Sequence, residues 1–316
     1  ASNGVIQILT KKGSAGRARW TLNVRQGANY LRDPEGRFPV NYQLVDGQVR
    51  SLNMVKVENE RGPQLFRTGH LQEYDLSASG GTELFRYYAS GGFENSDGVE
   101  PSNSLRRYTG RLNLTLTPSD KLDVGGTLSY IDGLTDLSAE AGFGGRVWST
   151  VLADPRNLNE RRRGFHSGLP EEYDLLYNFS QGLRRTTGTL RLDHRPAPWF
   201  SQRLAYGTDV TNEDNIIFFP RVDSLVAISA FGNEALGYKE VNRRTVTYNS
   251  LDYSATAHLH LREALSSSTS LGAQYYRNSL RYVYGDGSIF PAPGLSALSA
   301  TTVRSQPIED SEEHVT

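Results

Sequence analysis

Two histidines, His258 and His260, stand two residues apart in a run of alternating apolar and polar residues. On a strand such a spacing puts both imidazoles on one face, where they can ligate a metal. A zinc site needs at least three protein ligands and no third is evident, so the pair reads as two polar residues on a common strand face. Arg161-Arg162-Arg163 has the charge to hold an anion, but a short basic run in polar surroundings reads as a solvated loop. Gly142-Phe143-Gly144-Gly145 lacks the spacing and the strand–helix frame of a phosphate-cradling loop and reads as a turn. Serine, histidine and aspartate are plentiful, yet no Gly-x-Ser-x-Gly frames a nucleophile. The chain has no cysteine, which removes disulfides, thiolate metal sites and cysteine nucleophiles. The expectation is a protein that is not an enzyme, with no catalytic residue, no metal and no cofactor.

The elements that carry these residues are strands. From Arg107 to Tyr130 two amphipathic strands flank a turn at Thr117–Lys121. Tyr108, Gly110, Leu112, Leu114 and Leu116 point one way, and Arg107, Thr109, Arg111, Asn113 and Thr115 the other. In the return strand Leu122, Val124, Gly126, Leu128 and Tyr130 alternate with Asp123, Gly125, Thr127 and Ser129. Each apolar face is free of charge over about ten residues, the length a tilted strand needs to cross a bilayer. Tyr108 and Tyr130 fall at one end, where an apolar ring with a polar tip suits a membrane boundary. No apolar run reaches the roughly 18 residues of a transmembrane helix, so a membrane role requires a barrel. Seventeen tyrosines and 31 glycines against one methionine suit strands and turns. The formal net charge of −1 leaves no footprint for nucleic acid.

Taken in order, the chain opens on a short apolar strand at Gly4–Thr10, then a strand at Arg17–Tyr30. Strands follow near 71–79, 84–94, 107–130, 186–195, 202–210, 251–262 and 269–284. Short helices are expected near Leu44–Val57, Ser138–Leu152 and Glu171–Tyr177. The alternation slips near Ser250, which predicts a bulge there or the strand leaving the membrane. Connections near Gly81, Ser119, Ala197 and Ala264 are short. The alternate ones at 31–69, 133–182, 212–241 and 285–310 are long, and only 96–104 is modest. Short turns on one side and long loops on the other are the signature of an outer-membrane up-and-down barrel. The rivals are a soluble or secreted β-rich carbohydrate-binding module and a passive outer-membrane porin. A barrel predicts an uncovered apolar band bounded by aromatics, and a module predicts sheet faces that are packed or polar.

The opening run Ala1-Ser2-Asn3-Gly4-Val5-Ile6-Gln7-Ile8-Leu9-Thr10-Lys11-Lys12-Gly13 resembles the end of the plug domain of TonB-dependent outer-membrane transporters, nearest to the SusC/RagA group. Ser2, Gln7 and Leu9 depart from the usual run. Tyr74–Gly81 with Phe85–Phe93 is similar to the group's first barrel hairpin, and Arg107-Tyr108 with Arg111–Leu114 looks like its next strand. The resemblance covers about residues 1–132. It implies a plug end at 1–13, with Asn3, Gly4, Val5, Ile6, Lys11, Lys12 and Gly13 as its motif. Residues 14–316 would be the N-terminal part of the transmembrane barrel. The implied fold is all-β and antiparallel, an open curved sheet of about nine or ten strands with short helices in long extracellular loops. The whole would be an interior piece of a barrel of about 22 strands. Also implied are the bacterial outer membrane and its lipid, TonB-driven import of bulky oligosaccharides or peptides, the inner-membrane TonB complex and a SusD-like surface lipoprotein.

Site candidates follow from that architecture. Arg86, Tyr88, Arg111, Asn113, Arg191, Asp193, Arg203, Asp209, His258 and His260 fall on polar faces and would face the lumen, packing against the plug by hydrogen bonds and ion pairs. Substrate contacts would come from loop aromatics, with Trp148, Phe165, Tyr173, Phe219 and Phe231 the candidates, rings that can stack on a sugar or serve to anchor the loops.

Overall fold

The structure, a computed structural model, describes residues 11–62, 64–138, 145–223, 235–262, 265–304 and 310–315. Ten strands form one antiparallel sheet: β1 (Gly16–Asn29), β4 (Gly69–Gly81), β5 (Phe85–Asp97), β6 (Ser104–Ser119), β7 (Leu122–Leu137), β8 (Asn178–Ala197), β9 (Phe200–Phe219), β10 (Tyr238–Arg262), β11 (Leu265–Ser288) and the short β12 (Asp310–Val315). Each pairs with the next in the chain, so the sheet is an up-and-down meander. A separate hairpin, β2 (Val40–Val45) with β3 (Gln48–Asn53), lies between β1 and β4 with helices α1 (Pro34–Arg37) and α2 (Met54–Arg61). Helices α3 (Arg146–Val151) and α4 (Pro170–Leu176) lie between β7 and β8. No described helix is long and apolar enough to cross a membrane.

The alternation of β6 and β7 becomes a register in which Leu112 faces Leu128, Leu116 faces Val124 and Gly110 faces Tyr130. Because pairing joins residues of like orientation, the apolar positions of neighbouring strands merge into one continuous face. Trp20, Leu22 and Val24 of β1 continue it through Leu76, Leu112, Leu190 and Leu204 to Leu251 and Leu271, and all are exposed. Trp20 is 69% and Leu271 72% accessible, so none of the described residues forms a layer over this side. A soluble sandwich would bury such a face against a second sheet. Aromatic rings mark one boundary: Tyr74 stacks on Phe93 at 6.4 Å and Phe93 meets Tyr108 at 5.1 Å. Trp199 and Phe200 pair at 5.6 Å beside a turn at the other end. The sheet is thus a partial transmembrane β-barrel wall, open and curved.

Two expectations need correction, and of the two readings of the slip near Ser250 one is excluded. Leu44–Val57 is not a helix: it holds the turn of the β2–β3 hairpin, and only from Met54 is it helical. Asp46 (φ 52°) and Gly47 (φ 75°) form that turn, and Asp-Gly between alternating residues is a strong hairpin signal that should have outweighed the helical spacing. There is no bulge at Ser250, because β10 pairs without interruption through it on both sides. Thr245, Thr247 and Asn249 occupy the face that Leu251 and Tyr253 hold lower down, so the strand leaves the apolar band in unbroken register. For the same reason β8–β11 are much longer than expected. β10 would extend roughly 80 Å at ~3.3 Å per residue, against a hydrocarbon core of about 30 Å. Polar pairing continues well past the bilayer and shortens the loops.

The loop asymmetry holds. Residues 82–84, 120–121 and 198–199 are tight turns, while the alternate connections carry loops. Those between β1 and β4 and between β7 and β8 share one hydrophobic core of Leu52, Met54, Val55, Leu65, Phe66, Ala153 and Phe165. Asn41 Nδ2 donates to the Val151 carbonyl at 3.0 Å and to that of Ala153 at 2.6 Å, and Arg163 meets Glu58 at 3.2 Å. Gly164, at φ +97°, lies against Met54 and Leu52, where a side chain would intrude.

Two outcomes follow for the full-length protein. Leu112→Arg, in mid-band, is expected to cost about 2–4 kcal/mol in reversible unfolding from lipid, and Thr245→Arg, above the band, under about 1 kcal/mol. Phe165→Ala is expected to cost about 3–5 kcal/mol locally. It should raise amide exchange together in 52–66 and 146–165, with β6 and β7 unchanged.

Candidate functional site

The face opposite the apolar band is polar and already carries a segment of the chain. Asn113 is 5% accessible, and its Nδ2 donates to the Lys11 carbonyl at 2.5 Å. Gly13 lies so close to the Tyr87 backbone that a Cβ would collide with it. Lys11–Gly13 therefore crosses the sheet on the side of Arg111 and Asn113. A cleft of about 120 Å³ opens beside it, lined by Lys12, Asn113, Thr115, Thr127 and Arg191 among others.

Paired charges run up this face. Asp193 takes both Arg203 (2.6 Å) and Arg191 (2.8 Å), Asp123 takes Arg195 (2.5 Å), and Asp209 takes Arg185 (2.5 Å). Arg25 meets Glu73 at 2.7 Å, and Glu94 holds Arg107. Strand register places most of these partners opposite or diagonal to each other, Asp193 beside Arg203 and Thr187 beside Asp209, while Arg191 and Asp193 are two residues apart on β8. Such pairs stiffen a wall and present fixed charges to whatever fills the space in front. A wide, shallow cleft of about 580 Å³ is bounded by Asp123, Arg191, Asp193, Arg195 and Arg203. Higher up, Gln181, Glu213 and Asn215 hydrogen-bond one another, and Asn242 donates to the Tyr282 hydroxyl at 2.8 Å. Tyr248 stacks on Tyr276 at 6.3 Å.

The candidates from sequence divide accordingly. Arg86, Arg111, Asn113, Arg191 and Asp193 share the polar face, and Asn113 and Arg191 line the cleft beside Lys12. His258 and His260 are exposed nearer the turn end, opposite Ser268 and Ser266, and no metal-binding cluster occurs among the described residues. Asn3, Gly4, Val5, Ile6 and Phe231 lie outside the described residues. Phe165 is fully buried in the shared loop core. Tyr173 and Phe219 are buried in a second core with Leu176 and Tyr177, where Tyr177 and Phe219 meet edge to face at 4.8 Å. Trp148 alone of these described rings is exposed, at 51%.

The sequence reading missed Arg146. It is buried at the start of α3, donating to the carbonyls of Leu65 (2.8 Å) and Pro170 (3.3 Å) and pairing with Asp174 (2.5 Å). A lone arginine leading an apolar turn of Val147, Trp148 and Val151 was the available signal. Asp154 is another loop organiser. It accepts from the Arg156 backbone N–H at 2.9 Å, and the Arg156 guanidinium beside it holds its carboxyl below the usual carboxylate range. A carboxyl so lowered contributes stability above its unfolded pKa of about 4, and that contribution is lost as pH falls through the lower folded value. Amide protection of 153–158 is therefore expected to fall with acidification below about pH 4. Asp154→Asn should remove that pH dependence and lower protection at neutral pH.

No protein-family model matches the chain. Among curated proteins it is 27% identical over 150 residues to TonB-dependent receptor P3 of Formosa agariphila, covering 46% of this chain and 15% of that protein. It is 26% identical over 199 residues to TonB-dependent receptor SusC of Bacteroides thetaiotaomicron, covering 60% of this chain and 18% of that one. The chain thus spans less than a fifth of the length of these relatives. Among solved structures, that of the RagAB peptide transporter superposes with a TM-score of 0.73 at 19% identity, over 96% of this chain and 40% of that one. A RagAB peptide importer in the closed-closed state gives 0.68 at 18% identity, over 97% and 39%. The likeness to the solved structures is one of fold, and the likeness to the curated receptors is one of sequence. Over the part that it spans, the chain is similar in sequence to SusC-type TonB-dependent receptors and shares the fold of the RagAB transporter.

Proposed function

We propose that residues 14–316 are the N-terminal part of the barrel wall of a SusC-like transporter in the bacterial outer membrane, and that residues 1–13 end its plug. The carrying observation is the two-sidedness of the sheet. Its apolar face has no protein cover, and its polar face already holds Lys11–Gly13. An uncovered apolar face of strand-crossing width suits lipid, and a polar face lined with ion pairs suits a lumen filled by a plug. The tight turns then face the periplasm, and the loop cores stand outside the cell.

In this reading the whole protein imports bulky oligosaccharides or peptides. The relative named SusC and the fold shared with a peptide transporter support that class. The plug is displaced by force from the TonB complex, and a SusD-like lipoprotein works at the extracellular side. Of the candidate rings among the described residues, Trp148 is the exposed one and would meet a substrate, whereas Phe165, Tyr173 and Phe219 are buried and hold the loops in shape.

The test is uptake of labelled peptide and oligosaccharide pools by cells carrying the full-length protein, before and after the proton-motive force is collapsed. Uptake of at least one pool should stop with the energy supply. Size-limited uptake that continues unchanged would mark a passive pore. Trp148→Ala is expected to weaken apparent affinity for the transported pool about tenfold, the loss of roughly 1.4 kcal/mol of stacking.

A further inference from the structure

The side of the sheet that carries the apolar band does not end with the band. Beyond Tyr108 and Tyr130 it continues as polar strand and holds a cleft of about 400 Å³. Strand register builds the floor of this cleft. Ser104 faces Asp136, Asp136 faces Ser180 and Ser180 faces Ile216, while Asn178 faces Phe218 and Phe218 faces Lys239. Side-chain parity puts all of these on the side of Leu112, Leu128, Leu190 and Leu251, away from the lumen. Ser104 stands four residues beyond Tyr108 on β6, roughly 13 Å along the strand. Asp174 and Tyr177, at the end of α4, form the rim with Pro101 and Ser102.

Two carboxylates of the lining are held in place, Asp136 by the Ser104 hydroxyl at 2.8 Å and Asp174 by Arg146 at 2.5 Å. Oδ1 of Asp174 is buried without a hydrogen-bond partner, so a fixed acceptor beside the cleft is unanswered. The Asn178 amide brings both donors and an acceptor, and the hydroxyls of Ser102 and Ser180 bring one of each kind. Lys239 donates to the Ser296 carbonyl at 2.8 Å, and its ammonium group has further N–H donors. Ile216 and Phe218 supply an apolar wall. Fixed carboxylates, an amide and a short apolar wall suit a ligand with many hydroxyls and an apolar ring face, which is a sugar. A free acid or a bare phosphate would meet two like charges.

The cleft is outside the lumen, so a substrate crossing the barrel does not pass it. What lies against that side, above the hydrocarbon, is the headgroup layer of the surrounding lipid. We infer that the cleft is a sugar-binding site on the outside of the wall, and that its ligand is the headgroup of a glycolipid in the outward leaflet. The inference rests on the proposed membrane wall with its loops outside the cell, and adds to it a lipid site of stated chemistry. It also accounts for polar pairing that continues past the hydrocarbon on β8 and β9, since the upper parts of these strands build the site.

The probe is fluorescent rough lipopolysaccharide, titrated against the full-length protein in an amine-oxide detergent that carries no sugar. Wild type should bind it saturably. Asp136→Asn/Asn178→Ala should raise the dissociation constant at least about tenfold, the loss of a hydrogen bond to a charged group. Labelled phosphatidic acid, which has no sugar, should not distinguish the two proteins. Free core oligosaccharide should compete only at far higher concentration, because it lacks the chain that keeps the glycolipid in the same micelle. Equal binding of lipopolysaccharide by wild type and variant would overturn the site, and competition by the free sugar at the concentration of the lipid would overturn the glycolipid as its ligand. Heat-modifiable migration on gels confirms that the variant still forms a barrel. A full-length protein that stays in solution without detergent would instead contradict the membrane wall itself, which separates the two failures.

Discussion

The apolar face from Trp20 to Leu271 is left uncovered by the described residues, and the rest of the structure is arranged around that fact. A sheet can leave such a face uncovered only where the surroundings are as apolar as the face. Lipid provides this, on condition that every backbone group within the hydrocarbon is paired between strands. The ladders from β4 to β11, whose register shifts only beside the turns at Leu116/Ser119, His194/Ala197 and His260/Arg262, meet that condition for the inner strands. The same pairing fixes which residues look the other way, so the polar face is the obligatory reverse of the lipid face. Arg111 and Asn113 point away from lipid because Leu112 and Leu114 point toward it.

The two hydrophobic clusters among the described residues lie beyond the apolar band. Leu52, Met54, Val55 and Phe165 bury themselves in the loops, and a second core forms around Tyr177 and Phe219 at the upper ends of β8 and β9. The wall therefore depends on lipid and strand pairing, while the loops depend on ordinary water-driven burial. Arg146 shows how the two loops are joined. One side chain reaches the Leu65 carbonyl in the first loop and Asp174 in the second, so neither loop keeps its shape without the other.

The wall was legible in the sequence because strand period, lipid depth and pairing all act on the same alternation. The hairpin of Tyr108 and Tyr130 needed only side-chain parity to be oriented. Two features hid the rest. Above the membrane the alternation persists as polar on polar, as at Thr245, Thr247 and Asn249, and carries no apolar signal, so β8–β11 look shorter than they are. In the loops, spacing matters less than single residues: Asp46-Gly47 set a hairpin that the surrounding pattern disguised. The polar face was legible as a list of residues, but its pairing was not. That Asp193 serves two arginines and Asp123 takes Arg195, 72 residues away, depends on register and side-chain reach that alternation alone does not give.

The central claim is that one sheet separates lipid from a filled lumen, residue by residue. Spin labels placed singly from Tyr108 to Leu116 in the full-length protein, reconstituted in bilayers, test it directly through collision with oxygen dissolved in the lipid. The account predicts a strict period of two, with high oxygen accessibility at Leu112 and Leu114 and low accessibility at Arg111, Asn113 and Thr115. Accessibility without alternation, or alternation with the opposite phase, would contradict it.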